Sequence, residues 1–414
     1  MQTPVFSLLA SALLLAAPSL FGQNIPDNVR TLNGRVLQFH GAIQRANTRE
    51  AARIRAEAAP VFGQRAAALA TLIRQDPAAA LGLAFSQGLL EVLAANFPAS
   101  ASNLEQHGVW SGTSNHLIFD DPERQVRRFQ VQIQSGGDSA EVYSAAGEPH
   151  CVSGDILSVK GVRIGGVIAA ENASIQSDAS VAPAGCSTTG TQNTVVLLVQ
   201  FPTIPLPSRV TPSGVWDIFF SASGHSVRNY WEEASYGKAS ASGAVFGPYT
   251  LDRIYTCDEY NAMRSAAIAA ADADVNFLDY TRIFIVFPDS GSCSWFGMGT
   301  LGCSSLSSLD GSFTASTAWL VATYMGSRDN GVKLSTHEGG HNLTLQHASS
   351  RDFGTEPLGP LGAAGTLSEY GDIHSTMGSW SFGQYSAPHK VGMGWLSASN
   401  VATTESNGSY TILP

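Results

Sequence analysis

The segment Leu334–Ser350, LSTHEGGHNLTLQHASS, carries three histidines and a glutamate within eleven residues. No other stretch restricts the fold so sharply. His337 and His341 lie four positions apart, so an α-helix puts both imidazoles on one face, one turn apart. Two neutral imidazoles at that spacing can share a Zn²⁺ ion at about 2.0–2.1 Å. Glu338 can reach a water on the same ion, which suits a general base and not a ligand. HEGGH is therefore an instance of H-E-x-x-H. Gly339 and Gly340 each weaken a helix by about 1 kcal/mol relative to alanine, which makes sense if another element packs closely on that face. The competing reading is a solvated polar helix without metal.

His347 follows His341 by six residues, where the longer pattern H-E-x-x-H-x-x-G-x-x-H has its third histidine. The helix must then end after His341 and the chain turn back. Glycine accepts the left-handed conformation of such a turn. Here Thr344 holds that position, and a β-branched residue is strained there. Either Thr344 bears the strain and His347 is the third ligand, or the helix runs on, His347 is solvated, and a downstream carboxylate such as Glu369 completes the site. Further on, SEYGDIHSTMGSW puts Met377 in a tight Ser-Thr-Met-Gly turn. Tyr370 and Tyr385 flank this region as candidate donors to a developing oxyanion. His374 and His389 also flank the turn and are not assigned as ligands. Asp289, Asp310, Asp352 and Asp372 sit near loop glycines, but no spacing among them is diagnostic of Ca²⁺; calcium is unsupported.

The rest of the chain frames this segment. Of 414 residues, 44% are hydrophobic and 14% charged, a globular composition. A formal net charge of −10 and a pI near 5.4 argue against nucleic acid or an anionic membrane surface as partner. The apolar run Val5–Ala17, closed by Pro18, suits a secretory signal over residues 1–22 and is too short to span a membrane. The expected location is extracellular, or periplasmic in transit. Residues 23–170 read as an alanine-rich helical half, broken by Pro60, Pro77 and Pro98, followed by a small β unit with a hairpin at Gly136–Gly137. Residues 171–193 are small, polar and aperiodic, which fits a linker with an activation cleavage between Ser177 and Gln192. Buried strands alternating with helices over residues 194–399 predict an α/β-type domain with a twisted sheet. Residues 400–414 read as a tail or the first strand of a further module.

These motifs resemble the metzincin zinc peptidases, and in particular the gametolysin-like family. The resemblance covers roughly Thr194 to Leu396 and rests on STHEGGHNLTLQHASS, EYGDIHSTMGSW and YSAPHKVGMGWL in that order. NYWEEASYGKASASGAVFGPYTL matches as well, and is shared with the immune-inhibitor-A-like peptidases, the runner-up family. The resemblance implies a secreted endopeptidase acting on proteins through one catalytic zinc, with an α+β or α/β metzincin-like domain of sheet, active-site helix and methionine turn. It assigns His337, His341 and His347 as ligands, Glu338 as base and Met377 as the turn methionine beneath the metal. The missing glycine at Thr344 is the one departure from the pattern. Residues 23–170 then fit a propeptide that restrains the enzyme until export. Within it, GEPHCVSGD resembles the cysteine switch of matrix metalloproteinases, with Cys151 as the blocking thiolate. Cys186, Cys257, Cys293 and Cys303 suffice for two bridges that leave Cys151 free; a Cys151–Cys186 bridge and a cysteine in the β core are the alternatives. The competing function, from a different class, is a weak or inactive peptidase fold that keeps a structural zinc and serves as a binding module.

Overall fold

The computed structural model describes residues 24–121, 124, 126–175, 187–356, 359–360, 362–402, 408–409 and 411. The expected signal segment, most of the expected linker and much of the tail lie outside the described residues. The chain divides into two compact units: the residues up to Gly108 with Gly161–Ala169, and Val109–Lys160 with the described residues from Ala170 on. Most strand residues that follow the helices fall in the second unit, while Gly161–Ala169 falls in the first.

The first unit holds α1 (Ile25–Ile43), α2 (Thr48–Gln75), α3 (Pro77–Leu83) and α4 (Gln87–Asn96). Asn47 and Glu50 form a capping box at the start of α2. Asp76 accepts from the Ala79 N–H and starts α3 at Pro77. Pro60 does not break α2. It faces solvent, where water can satisfy the carbonyl that a proline leaves unpaired. Val36, Ile54, Phe62, Leu93 and Phe97 form the core. Arg65 and Glu105 make a fully buried pair at 2.5 Å.

The strands begin with β1 (Gln106–Asp121), β2 (Val126–Ser135), β3 (Asp138–Ser144), β4 (Ile156–Ile164), β5 (Val167–Ile175) and β6 (Gly190–Gln200), which fall in the second unit apart from the start of β1, the end of β4 and the start of β5. They are followed by α5 (Pro212–Phe220), α6 (Val227–Ala234), β7 (Ala239–Thr250), α7 (Tyr260–Ala271), β8 (Arg282–Phe287) and β9 (Gly297–Thr300). Then come β10 (Ser304–Ser308), β11 (Gly311–Val321), α8 (Arg328–Asn342), β12 (Ser350–Asp352), β13 (Thr366–Ser368) and α9 (Ala387–Gly392). β2 and β3 meet at Gly136 and Gly137, both at positive φ, as a two-residue hairpin turn demands. β5 ends at Ile175 and β6 begins at Gly190, so both ends of the expected linker are strand.

The main sheet runs β7–β6–β8–β11–β9–β1. Its first four strands are parallel; β9 is antiparallel to β11 and β1 to β9. Parallel strands are buried on both faces, and Val195–Val199 shows the consequence. Val196 and Leu198 enter one core with residues of α5, α6 and α8. Val195, Leu197 and Val199 enter the other with residues of α7. Ser226 caps α6 by accepting from Asn229 N–H at 3.0 Å. Cys257 and Cys293 form a disulfide, Cys303 is disulfide-bonded as well, and Cys151 is free and buried. Cys186 lies outside the described residues. Among the described residues no single helix is long and apolar enough to cross a membrane.

Candidate metal centre

The site is built on α8, whose last two turns are buried throughout. A helix can be so enclosed only if its neighbours come very close, and its two glycines allow that. A Cβ on Gly339 would stand 2.7 Å from Trp231 Cζ2; one on Gly340 would stand 2.3 Å from Met377 Sδ and 3.2 Å from Tyr385 Cε1. Met377 thus lies in the turn directly against the helix. Across from it, β9 contributes Gly297 and Gly299. A Cβ on Gly297 would fall 2.1 Å from Glu338 Oε1, and one on Gly299 2.9 Å from His341 Cβ.

Helix α8 stops at Asn342, one residue after His341. The Thr344 N–H donates to His341 O at 2.8 Å and the Leu345 N–H to Gly340 O at 3.0 Å, the paired bonds of a Schellman end. That motif needs a left-handed residue, and Thr344 adopts φ 74°. Of the two alternatives at this position, the structure shows the one in which Thr344 bears the strain and the chain turns back to bring in His347.

His337, His341 and His347 converge with ring centroids 5.0–5.4 Å apart. Each Nδ1 is held from outside. His337 Nδ1 donates to Thr376 O at 2.7 Å, His341 Nδ1 to Leu345 O at 2.7 Å, and His347 Nδ1 to Glu369 Oε1 at 2.9 Å. Such outer acceptors fix the tautomer and aim the Nε2 lone pair inward. Glu369 is therefore the support of His347 and not its substitute.

A fourth group stands at the centre. Asp120, at the end of β1, places Oδ2 2.8 Å from His341 Nε2 and 3.5 Å from His337 Nε2, and Oδ1 2.7 Å from His347 Nε2. Tyr370 Oη donates to Asp120 Oδ1 at 2.7 Å. The four ligand atoms lie within 4.8 Å of one another and are buried. Three imidazoles and one carboxylate match the donors and number that a tetrahedral zinc takes. Glu338 stands apart from that group; both its carboxylate oxygens are buried without a hydrogen-bond partner, which suits an acceptor kept for a proton.

The electrostatics follow from burial around one charge. Burial alone opposes ionisation of Asp120, but His347 and His341 outweigh it and hold its carboxyl well below the usual range. Burial, then the Asp120 charge, raise Glu338 well above the carboxylate range. Burial lowers His341 to about 4. His347 is raised, because Asp120 and Glu369 overcome its burial. Tyr370 is raised by burial and by Asp120.

Two sequence expectations are corrected. Cys151 is not at the centre: its carbonyl accepts from His116 Nδ1 at 2.8 Å and its Sγ lies 4.0 Å from that nitrogen, so Asp120 takes the place expected for the thiolate. Tyr385 is not a free donor either. Its hydroxyl donates to Thr336 O at 2.7 Å and accepts from Trp231 Nε1 at 3.0 Å, bracing α8 beside Met377. Tyr370 does reach the centre. Asp289, Asp310, Asp352 and Asp372 each accept a backbone N–H.

Asp120 was not singled out from the sequence. Its only local signal is an apolar strand, HLIF, running into Asp120-Asp121-Pro122, and nothing in that run points to a partner 217 residues downstream at the earliest ligand. The model of the family described as Gametolysin peptidase M11 matches residues 193–411, more than half of the chain. No curated protein matches it.

Proposed function

The chain belongs to the gametolysin peptidase family, and from that premise we propose that it is a secreted zinc endopeptidase, made as a zymogen, that hydrolyses peptide bonds of extracellular proteins. One observation carries the reading: three buried imidazoles converge through Nε2 while their Nδ1 atoms are held outward, beside a buried glutamate with no partner. His337, His341 and His347 would hold the zinc. When bound, it supplies Lewis acidity toward a carbonyl and lowers the pKa of water.

The remaining work falls to side chains. Glu338 takes the proton of the attacking water at its carboxylate and returns it to the leaving amine. Gly297 and Gly299 give that carboxylate room beside β9. Tyr370 Oη, which now donates toward the oxygen at the centre, is placed to donate to a substrate carbonyl oxygen instead. Met377 holds α8 from below. The metzincin class is supported by this ordering of helix, reversed turn and methionine.

Secretion is supported by the apolar run at residues 5–17 and by the Cys257–Cys293 disulfide, which suits an oxidising compartment. The activation cleavage is proposed in the segment between β5 and β6. In the test, processed parent and processed Glu338→Ala are given an unfolded protein substrate. The variant is expected to retain zinc and lose about 10²–10⁴ of the rate. Equal cleavage by both would overturn the mechanism.

A further inference from the structure

We propose that Asp120 is the blocking ligand of the zymogen, and that β1 lies in the place where an extended substrate would run along β9. The inference rests on the zinc peptidase reading and deepens it. β9 pairs with β11 on one side and with β1 on the other. Without β1 it would be the open edge of the sheet, the kind of edge that an extended peptide joins through main-chain bonds. β1 fills it as a peptide would: Leu117, Ile118, Phe119 and Asp120 face Thr300, Gly299, Met298 and Gly297 in antiparallel register. The ladder is extended at both ends, with Phe296 N–H donating to Asp120 O at 2.8 Å and Leu301 N–H to His116 O at 2.8 Å.

That register delivers one side chain to the histidines, and it is a carboxylate with 1% exposure. Its two oxygens reach His341 and His347 at 2.8 and 2.7 Å and take the Tyr370 hydroxyl as well. A carboxylate so placed occupies the open fourth position that a catalytic zinc keeps for water or substrate. A second contact fastens the same segment. Arg127, on the strand paired to β1, lies 3.2 Å from Glu369, the acceptor that orients His347, and 2.7 Å from Glu148. Removal of β1 therefore frees the edge, the fourth position and Tyr370 together. Cys151 takes no part.

The test uses the full chain, its intact mass confirmed, as Asp120→Ala, Asp120→Cys and Cys151→Ala, beside the parent before and after removal of the N-terminal segment by an added protease. If the blocked form outnumbers the open one by about 99 to 1, unblocking raises basal cleavage roughly a hundredfold. Uncleaved Asp120→Ala is expected to show that rise, and Cys151→Ala to stay as latent as the parent. Loaded with cobalt, Asp120→Cys is expected to show thiolate-to-metal charge-transfer absorption, which a merely structural residue 120 would not give. The proposal is overturned if the processed parent cleaves while uncleaved Asp120→Ala stays latent and cobalt-loaded Asp120→Cys shows no thiolate band. A processed parent that neither cleaves nor binds cobalt would instead sink the zinc peptidase reading, and this inference with it.

Discussion

Gly340→Ala sets two effects of known size against each other. In a free helix the change is favourable by about 1 kcal/mol. Here the new methyl meets Met377 Sδ at 2.3 Å, so the sulfur must retreat by at least 1.1 Å to reach ordinary contact at 3.4 Å. Methionine is adaptable, but Met377 has no exposed surface, and its carbonyl is fixed by the Ala348 N–H at 2.8 Å. On the other side stands Tyr385, 3.2 Å from the methyl and tied through its hydroxyl to Thr336 and Trp231. Overpacking a filled core costs about 1–3 kcal/mol, which outweighs the helix gain. A net loss of up to about 2 kcal/mol is expected, read as a fall of a few degrees in the melting temperature of the full chain. Met377→Ala in the Gly340→Ala background should cost less than in the parent, with a coupling of about 0.5–3 kcal/mol between the two positions. A melting temperature at or above the parent's, or strictly additive costs, would refute the claim that Met377 is wedged against the helix.

Three further outcomes are expected. Glu369→Gln removes the charged acceptor of His347 Nδ1 and should weaken zinc binding about 10–100-fold, measured by competition with a chromogenic chelator. Arg65→Met leaves Glu105 buried without its counter-charge, with the Phe85 N–H still donating to it, at a cost of about 3–5 kcal/mol, visible in thermal unfolding. For pH, burial opposes charge on His116, but contacts with Cys151 and Glu148 raise it to about 9, above its unfolded value. The resulting stability, on the order of 1–3 kcal/mol, is present below about pH 6.5 and lost as pH climbs through about 9; His116→Gln should flatten that slope in denaturant titrations.

What the sequence revealed was what depends on neighbours in the chain. His337, Glu338 and His341 share one helical turn, and His347 follows at a spacing that survives the loss of glycine because Thr344 adopts φ 74°. The Gly136–Gly137 hairpin was legible for the same reason. Asp120 was not, since its role arises from the pairing of β1 with β9, strands 176 or more residues apart in sequence. Cys151 misled because a local order of Pro149, Cys151 and Asp155 carries no information about which strand reaches the centre. Gly297 and Gly299 carry no local signal, because their role comes from Glu338 and His341 packing against them.

The central claim is that the three histidines form a zinc centre, and metal content tests it most directly. Zinc per chain would be measured by plasma mass spectrometry on full-length Glu338→Gln, which cannot process itself on this account, and on the same chain with His341→Ala added. One zinc per chain in the first, and a loss of most of it in the second, is the predicted result. A first chain that carries no zinc, or a second that keeps all of it, would contradict the account.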